Sequence, residues 1–378
     1  MKSLRRILVA SLLAAGLLVP ITASAQPPLP EGCTPGVLQG GALSLICVPS
    51  DWNGELVVFA HGYVPIQLPL GFYNLQLPDG TSLPELVMGL GYAFATTTYR
   101  KNGLAILEGV EDIANLVRAF PSPPRRTHLA GVSEGGLVAT LLAERLPELV
   151  DSAVAACAPI GSFRGQIDTV GDFRVLFDYF FPGIIPGSPV RVPGSTIGIP
   201  PAVIAGWSTV YAPRVAAALT ADRPRALELM RVSRAAFDPA DPTTIAMTAV
   251  NLLSYNVLGT NEAAEKLGGN PFGNRFRLYF GSSNDLRLNL QVQRFTASPV
   301  ARAALDPYET NGNLKIPLVT LHTTRDDLVP FWHELLYLPK VDLSDRGRFF
   351  PIPVARYGHC TFTADEVLAA FGLAVQQP

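Results

Sequence analysis

Seven short apolar runs recur along this chain, and several of them are continuous rather than alternating. Leu43–Val48, Glu55–Ala60, Tyr92–Tyr99, Thr127–Val132, Ala153–Ala158, Pro317–His322 and Phe349–Val354 each read as a strand. A strand with one wet face alternates apolar and polar residues, so unbroken runs predict strands covered on both faces. The covering layers are written between the runs. Gly109–Phe120 places Val110, Ile113, Ala114 and Val117 on one stripe, an amphipathic helix, and Leu137–Leu146 and Asp365–Leu373 are further helices. Strands alternating with helices predict an α/β architecture, a mostly parallel sheet with helices on both faces.

From about Ser162 to Arg275 that rhythm breaks. Phe181–Pro201 is rich in proline and glycine, and Arg214–Leu219 and Arg225–Ala236 carry helical patterns. Arg275–Phe280 predicts a short strand, with a further loop or helix over Gly281–Ser298. We read residues 162–275 as a cap inserted between two sheet strands, and residues 26–161 with 276–378 as the core. With 378 residues, 48% hydrophobic and 16% charged, the chain can fill such a core, which excludes disorder as its main state. No basic domain or charged tail stands out, so nucleic acid is not an expected partner.

The first 25 residues have the layout of a secretory signal. Lys2, Arg5 and Arg6 precede the mostly apolar Ile7–Ile21, and Ala23-Ser24-Ala25 supplies small residues for cleavage. An uncleaved anchor is the alternative, and no later apolar run is long enough to span a bilayer. Cleavage removes three basic side chains and takes the formal charge from -2 to -5. The expected product is exported, secreted or periplasmic. Its four cysteines, Cys33, Cys47, Cys157 and Cys360, predict two disulfides among three possible pairings. The short separation favours Cys33 with Cys47, which leaves Cys157 with Cys360; two free buried thiols are the alternative.

Chemistry concentrates at Gly131-Val132-Ser133-Glu134-Gly135, between a strand and a helix. A serine hydroxyl is a poor nucleophile unless it is held exposed and a base takes its proton. Flanking glycines permit a tight strand-to-helix turn that presents Oγ above the sheet, over the free N–H groups of a helix start. Of the five histidines, His61 and His322 end strands, His128 lies within one and His333 sits in a helical pattern. His359, in a loop after the last strand, alone stands where a Ser…acid…His chain order needs its base. The loop after Leu318–His322 offers Asp326 and Asp327 as the acid, and Asp326 is favoured because Asp326-x-x-Val329-Pro330 puts it in the tight part of the loop. For a developing oxyanion the donors expected are the backbone N–H of Glu134, after the nucleophile, and of Tyr63, in His61-Gly62-Tyr63.

Together, His61-Gly62-Tyr63, Gly131-Val132-Ser133-Glu134-Gly135, Asp326-x-x-Val329-Pro330 and Gly358-His359-Cys360 resemble the α/β-hydrolase superfamily over Glu55 to Phe371. The likeness is greatest to exported bacterial members grouped as esterases or prolyl-oligopeptidase-like enzymes. That resemblance implies an eight-strand core sheet, a cap after the sixth strand and cofactor-free hydrolysis. His359-Cys360 is similar to the tannase and feruloyl-esterase pattern, in which a cysteine after the histidine is bonded to one just before the serine. Val132 occupies that place here, so the expectation passes to Cys157, at the end of the next strand, as the residue whose bond to Cys360 pins the histidine loop.

The function expected is cleavage of carboxylic esters, small-molecule or polymeric, through an acyl-enzyme with Ser133, His359 and Asp326. A serine peptidase or amidase is the alternative within enzymes, and a non-catalytic binding protein the alternative outside them. No His-Glu-x-x-His segment, zinc-type cysteine spacing or P-loop appears, so no metal or cofactor is expected. Phe177, Phe180, Phe181, Trp207 and Tyr211 either line an acyl pocket or form the cap's own core. Arg100, Lys101 and Gly103–Glu111 form a rim of the site or a solvated loop.

Overall fold

The computed structural model describes residues 31–377, so the signal segment expected over residues 1–25 lies outside the described residues. Eight strands, β1 (Cys33–Val37), β2 (Leu43–Cys47), β3 (Glu55–Ala60), β4 (Ala93–Thr97), β5 (Arg126–Val132), β6 (Ser152–Ala156), β7 (Leu318–Arg325) and β8 (Phe349–Tyr357), form one sheet. Their order is β1-β2-β4-β3-β5-β6-β7-β8. From β4 to β8 every neighbouring pair is parallel, while β2 runs antiparallel to both β1 and β4. Each of the seven apolar runs overlaps a strand, with ends that differ by up to three residues. The eighth, β1, escapes a reading by apolar runs because Cys33-Thr34-Pro35-Gly36-Val37 is an exposed edge, where the missing N–H of Pro35 is tolerated. Cys33 pairs in register with Cys47 of β2, and the two form a disulfide.

Among the described residues twelve α-helices complete the fold. Around the sheet run α1 (Leu83–Gly89), α2 (Ile106–Ala119) and α3 (Glu134–Arg145). Between β6 and β7 lie α4 (Phe163–Phe180), α5 (Pro201–Ala205), α6 (Ala212–Ala221), α7 (Arg223–Ser233), α8 (Thr244–Lys266), α9 (Asp285–Gln291) and α10 (Pro299–Ala304). Then come α11 (Trp332–Tyr337) and α12 (Ala364–Gln376). Successive strand residues serve opposite layers, as the period of two requires. Leu56, Val58, Ala153 and Ala155 pack with α2 and α3, whereas Val154, Val319 and Leu321 pack with Ala370 and Ala374 of α12.

The helices after β6 have a core of their own, built on Phe173, Phe177, Val215, Leu229, Leu252 and Leu253. Leu328 and Val329, from the loop after β7, reach up into it. Leu288 and Val292 still belong to that core, whereas Ala301 and Leu305 already belong to the sheet's. Phe177, Phe180, Phe181 and Trp207 are buried there, with Tyr211 packed against them, so these aromatics are cap core. Arg275–Phe280 is not a strand. Phe276, Leu278 and Phe280 face outward, and the peptide of Tyr279 bonds to the Asn289 side chain (2.9 and 2.7 Å) instead of to a neighbouring strand.

Candidate active site

The turn between β5 and α3 is built by contacts that exclude a β-carbon. A Cβ on Gly131 would strike the carbonyl of Gly135, and one on Gly135 would strike the carbonyls of Ala60 and His61. Only glycine lets helix and strand approach so closely. Between them Ser133 takes φ 57° and ψ −120°, a conformation non-glycine residues avoid at a cost of about 1–3 kcal/mol. The strain lifts Oγ off the end of the sheet while α3 begins at Glu134 beneath it.

The structure brings together three of the residues singled out above. His359 Nε2 lies 2.9 Å from Ser133 Oγ, and His359 Nδ1 lies 2.8 and 3.0 Å from the two oxygens of Asp326. The ionised carboxylate is an acceptor, so Nδ1 carries the proton and Nε2 presents a lone pair to the serine. Asp326 Oδ1 also accepts the N–H groups of Leu328 (2.9 Å) and Val329 (2.8 Å), which fixes the carboxylate in its loop. Burial opposes its charge, yet the charges and hydrogen bonds of His359 and His322 hold the Asp326 carboxyl well below the usual range. Asp327 turns away, its Oδ2 accepting Asn251 Nδ2 of α8 at 2.7 Å.

Behind Asp326 stands a group the motif reading assigned no task. His322 Nδ1 meets Glu334 Oε1 at 3.0 Å, its Nε2 meets the carbonyl of Val329 at 2.8 Å, and Asp326 Oδ2 lies 3.5 Å away. Both ring nitrogens face acceptors, so both carry protons. Burial alone would discharge the ring, but Asp326 and Glu334 push it the other way, to about 10. His333, buried on α11, instead bonds Gln166 and the N–H of Gly161, and burial holds it neutral. His128 bonds Ser152 and Glu55 within the sheet.

Gly62 passes directly over the serine: a Cβ there would sit 3.3 Å from Ser133 Cβ. His61 stacks on Tyr99 (centroids 4.0 Å apart), whose hydroxyl donates to the His61 carbonyl at 3.0 Å. Burial keeps the His61 ring neutral, and its Nδ1 lies 2.7 Å from the Gly62 carbonyl, an acceptor only. In a trans peptide C=O and N–H point opposite ways, so this bond turns the Tyr63 N–H away from His61. Among the described residues neither the Tyr63 nor the Glu134 N–H donates a backbone hydrogen bond. Glu134 uses its side chain elsewhere, accepting the Ala105 N–H at 2.7 Å, and burial raises this carboxyl to about 8.

The second disulfide joins Cys157, just after β6, to Cys360, which adjoins His359. Together the two bonds take up all four cysteines. Cys157, His359 and Cys360 crowd together as a metal-binding trio would, but both sulfurs are held in the disulfide and both imidazole nitrogens are engaged. Arg100 is tied to Asp112 (2.7 Å) and Lys101 to Glu108 (3.1 Å), leaving Leu104 to reach the site.

Ser133 opens onto two hollows. One, of about 130 Å³, lies under the cap against α4 and α8; the other, of about 400 Å³, runs along His359, Cys360 and the 74–78 loop. Tyr63, Ser133 and Tyr255 border both.

No family model and no curated protein sequence matches this chain. Among solved structures it is similar to an esterase from Pyrococcus furiosus, at 12% identity and a TM-score of 0.46, over 91% of this chain and 90% of that one. Feruloyl esterase B from Aspergillus oryzae is 15% identical at a TM-score of 0.44, over 87% and 73% of the two chains. Proline iminopeptidase from Mycobacterium smegmatis is 14% identical at 0.43, over 90% and 97%. None of these fixes an activity. By its own strand order, its glycine-flanked serine turn and the loops that follow β7 and β8, the chain has the α/β-hydrolase fold.

Proposed function

We propose that this chain is a serine hydrolase that cleaves carboxylic esters through an acyl-enzyme. The observation that carries the reading is the unbroken line Ser133 Oγ to His359 Nε2 (2.9 Å) and His359 Nδ1 to Asp326 Oδ2 (2.8 Å), at a serine that opens onto two hollows. Nε2 takes the hydroxyl proton as Oγ attacks the acyl carbon, and Asp326 stabilises the imidazolium that forms. The oxyanion is held by the free N–H groups of Tyr63 and Glu134, each donor worth about 3–4 kcal/mol of transition-state stabilisation in comparable sites. His359 then gives the proton to the departing alkoxide, and a water attacks by the same route in reverse. Both disulfides support a compartment outside the cytoplasm, as the layout of residues 1–25 leads one to expect.

The test is covalent labelling with a fluorophosphonate probe. Wild type should be modified at Ser133 and should hydrolyse simple esters. Ser133→Ala should do neither while unfolding at nearly the same temperature. Ester turnover that survives Ser133→Ala would refute the assignment.

A further inference from the structure

We propose that the two hollows divide the substrate at Ser133, a partition that rests on the ester-hydrolase reading above. A short, unsubstituted acyl group enters the chamber under the cap, and a bulkier apolar alcohol lies in the groove beside His359. The assignment follows from where the proton must go. When the bond from the acyl carbon to the alcohol oxygen breaks, that oxygen leaves with the electron pair and takes its proton from His359 Nε2. It must therefore lie within hydrogen-bond reach of that nitrogen. His359 borders the groove and does not border the chamber, so the departing alcohol occupies the groove. The acyl carbon stays on Oγ, and its substituent takes the remaining hollow.

Wall chemistry says what each part is. The chamber is lined by apolar side chains such as Phe163, Ile167, Val170 and Phe272. Its amides are already engaged. Gln166 donates to the Leu328 carbonyl (2.8 Å) and faces His333 (3.0 Å), and Asn256 accepts from Arg174 (2.9 Å) while donating to the Pro189 carbonyl (3.1 Å). Asn270 donates to the Phe272 carbonyl (2.7 Å). Beyond the Tyr63 and Tyr255 hydroxyls, which border both hollows, a hydroxyl or amide on the acyl chain would lose water and find these amides already taken. A carboxylate would also face Glu262. The groove has roughly three times the chamber's space and apolar walls that include Phe59, Leu77, Leu83 and Phe362. The matching substrate class is esters of short, plain carboxylic acids with bulky apolar alcohols.

Two matched series test this with the purified protein. Acetate, butyrate and decanoate esters of one alcohol vary the acyl side; butyrates of ethanol, 2-cyclohexylethanol and 2-naphthylethanol vary the other at similar alcohol acidity. We expect kcat/KM to fall at least tenfold from butyrate to decanoate and to rise at least tenfold from the ethyl to the naphthylethyl ester. Val170→Phe should lower butyrate relative to acetate without reordering the alcohols, and Leu77→Trp should penalise the naphthylethyl ester without reordering the acids. Turnover with Ser133 labelled, but with decanoate preferred and the bulky alcohols rejected, overturns the partition alone. No turnover of any ester together with no labelling of Ser133 overturns the hydrolase reading, and the partition with it.

Discussion

The rim of the sheet and the cap above it are held in place by different means. At the rim the main chain does the holding: Ser133 sits at positive φ between glycines that have no room for a Cβ, and two backbone N–H groups grip Asp326. A disulfide then ties the residue beside His359 to the end of β6. In the cap, side chains do it. Helices α4, α6, α7 and α8 share an apolar core, threaded by the fully buried Arg174, which bonds Asp178 (3.0 Å), Asn256 (2.9 Å) and the Ile185 carbonyl (3.1 Å). Backbone geometry offers few substitutes, whereas packed helices accept many. The proposed reaction is therefore bound to the rim, and the choice of acyl group is free to change with the cap.

The sharpest way to break that comparison is a pair of adjacent aspartates, one serving each region. Asp326→Asn should lower kcat about 10⁴-fold, the loss seen when a triad histidine is held in the wrong tautomer. Asp327→Asn touches the bond to Asn251 of the cap and the neighbouring Tyr357, and should change kcat by a few-fold. Equal losses in steady-state assays would erase the distinction. Next come two glycines. Gly135→Ala drives a Cβ into main-chain carbonyls, whereas at Gly259 of α8 the nearest atom is the movable Tyr63 hydroxyl, 3.3 Å away. The first should cost about 1–3 kcal/mol or more in denaturant unfolding, the second well under that.

The disulfides sharpen it further. Replacing both members of either bridge by serine should cost about 2–5 kcal/mol of stability. Cys157→Ser with Cys360→Ser should also lower kcat, because it frees the loop that carries His359. The Cys33 and Cys47 pair crosses an edge hairpin and should leave kcat as it was. A drop in kcat from both pairs would mean that the rim is not locally fixed.

The same contrast decides what the sequence makes legible. Buried strands such as Glu55–Ala60 and Ala153–Ala158 announce themselves as unbroken apolar runs. Ser133, Asp326 and His359, which the fold brings together, sit at loop positions marked by their neighbours. In the cap only Arg214–Leu219 and Arg225–Ala236 carry helical patterns, which overlap α6 and α7. Helix α4 carries Arg174, Gly165 and Gly171 on buried or crowded faces, and α8 buries Thr244, Thr248 and Asn256, so neither shows a clean apolar stripe. Nor does a motif reveal His322: its role depends on Glu334, twelve residues away, being brought against it by α11.

The smallest effect separates the two regions on the pH axis. In the folded chain the Glu134 carboxyl keeps its proton up to about 8, against an ordinary value of 4.5. Between those limits the native state holds a proton that the unfolded chain has released. This share of stability is whole below about 4.5 and is lost as pH rises toward 8. His322, raised from 6.5 to about 10, acts in the same direction over a higher range. In the cap, burial raises Asp172 from 3.8 only to about 6, despite the attraction of Arg277, so its share is gone before neutrality. Unfolding temperatures from pH 5 to 9 should therefore decline on the alkaline side mainly through the rim. Glu134→Gln keeps an acceptor for the Ala105 N–H and has no proton to lose, so its stability relative to wild type should rise from pH 5 to about 8 and then level off. A gap that stays constant would mean the carboxyl is ionised throughout. The charge beside Ser133 would then have to be counted in any account of the oxyanion, since a fixed anion there opposes the negative oxygen that the Tyr63 and Glu134 N–H groups are proposed to hold.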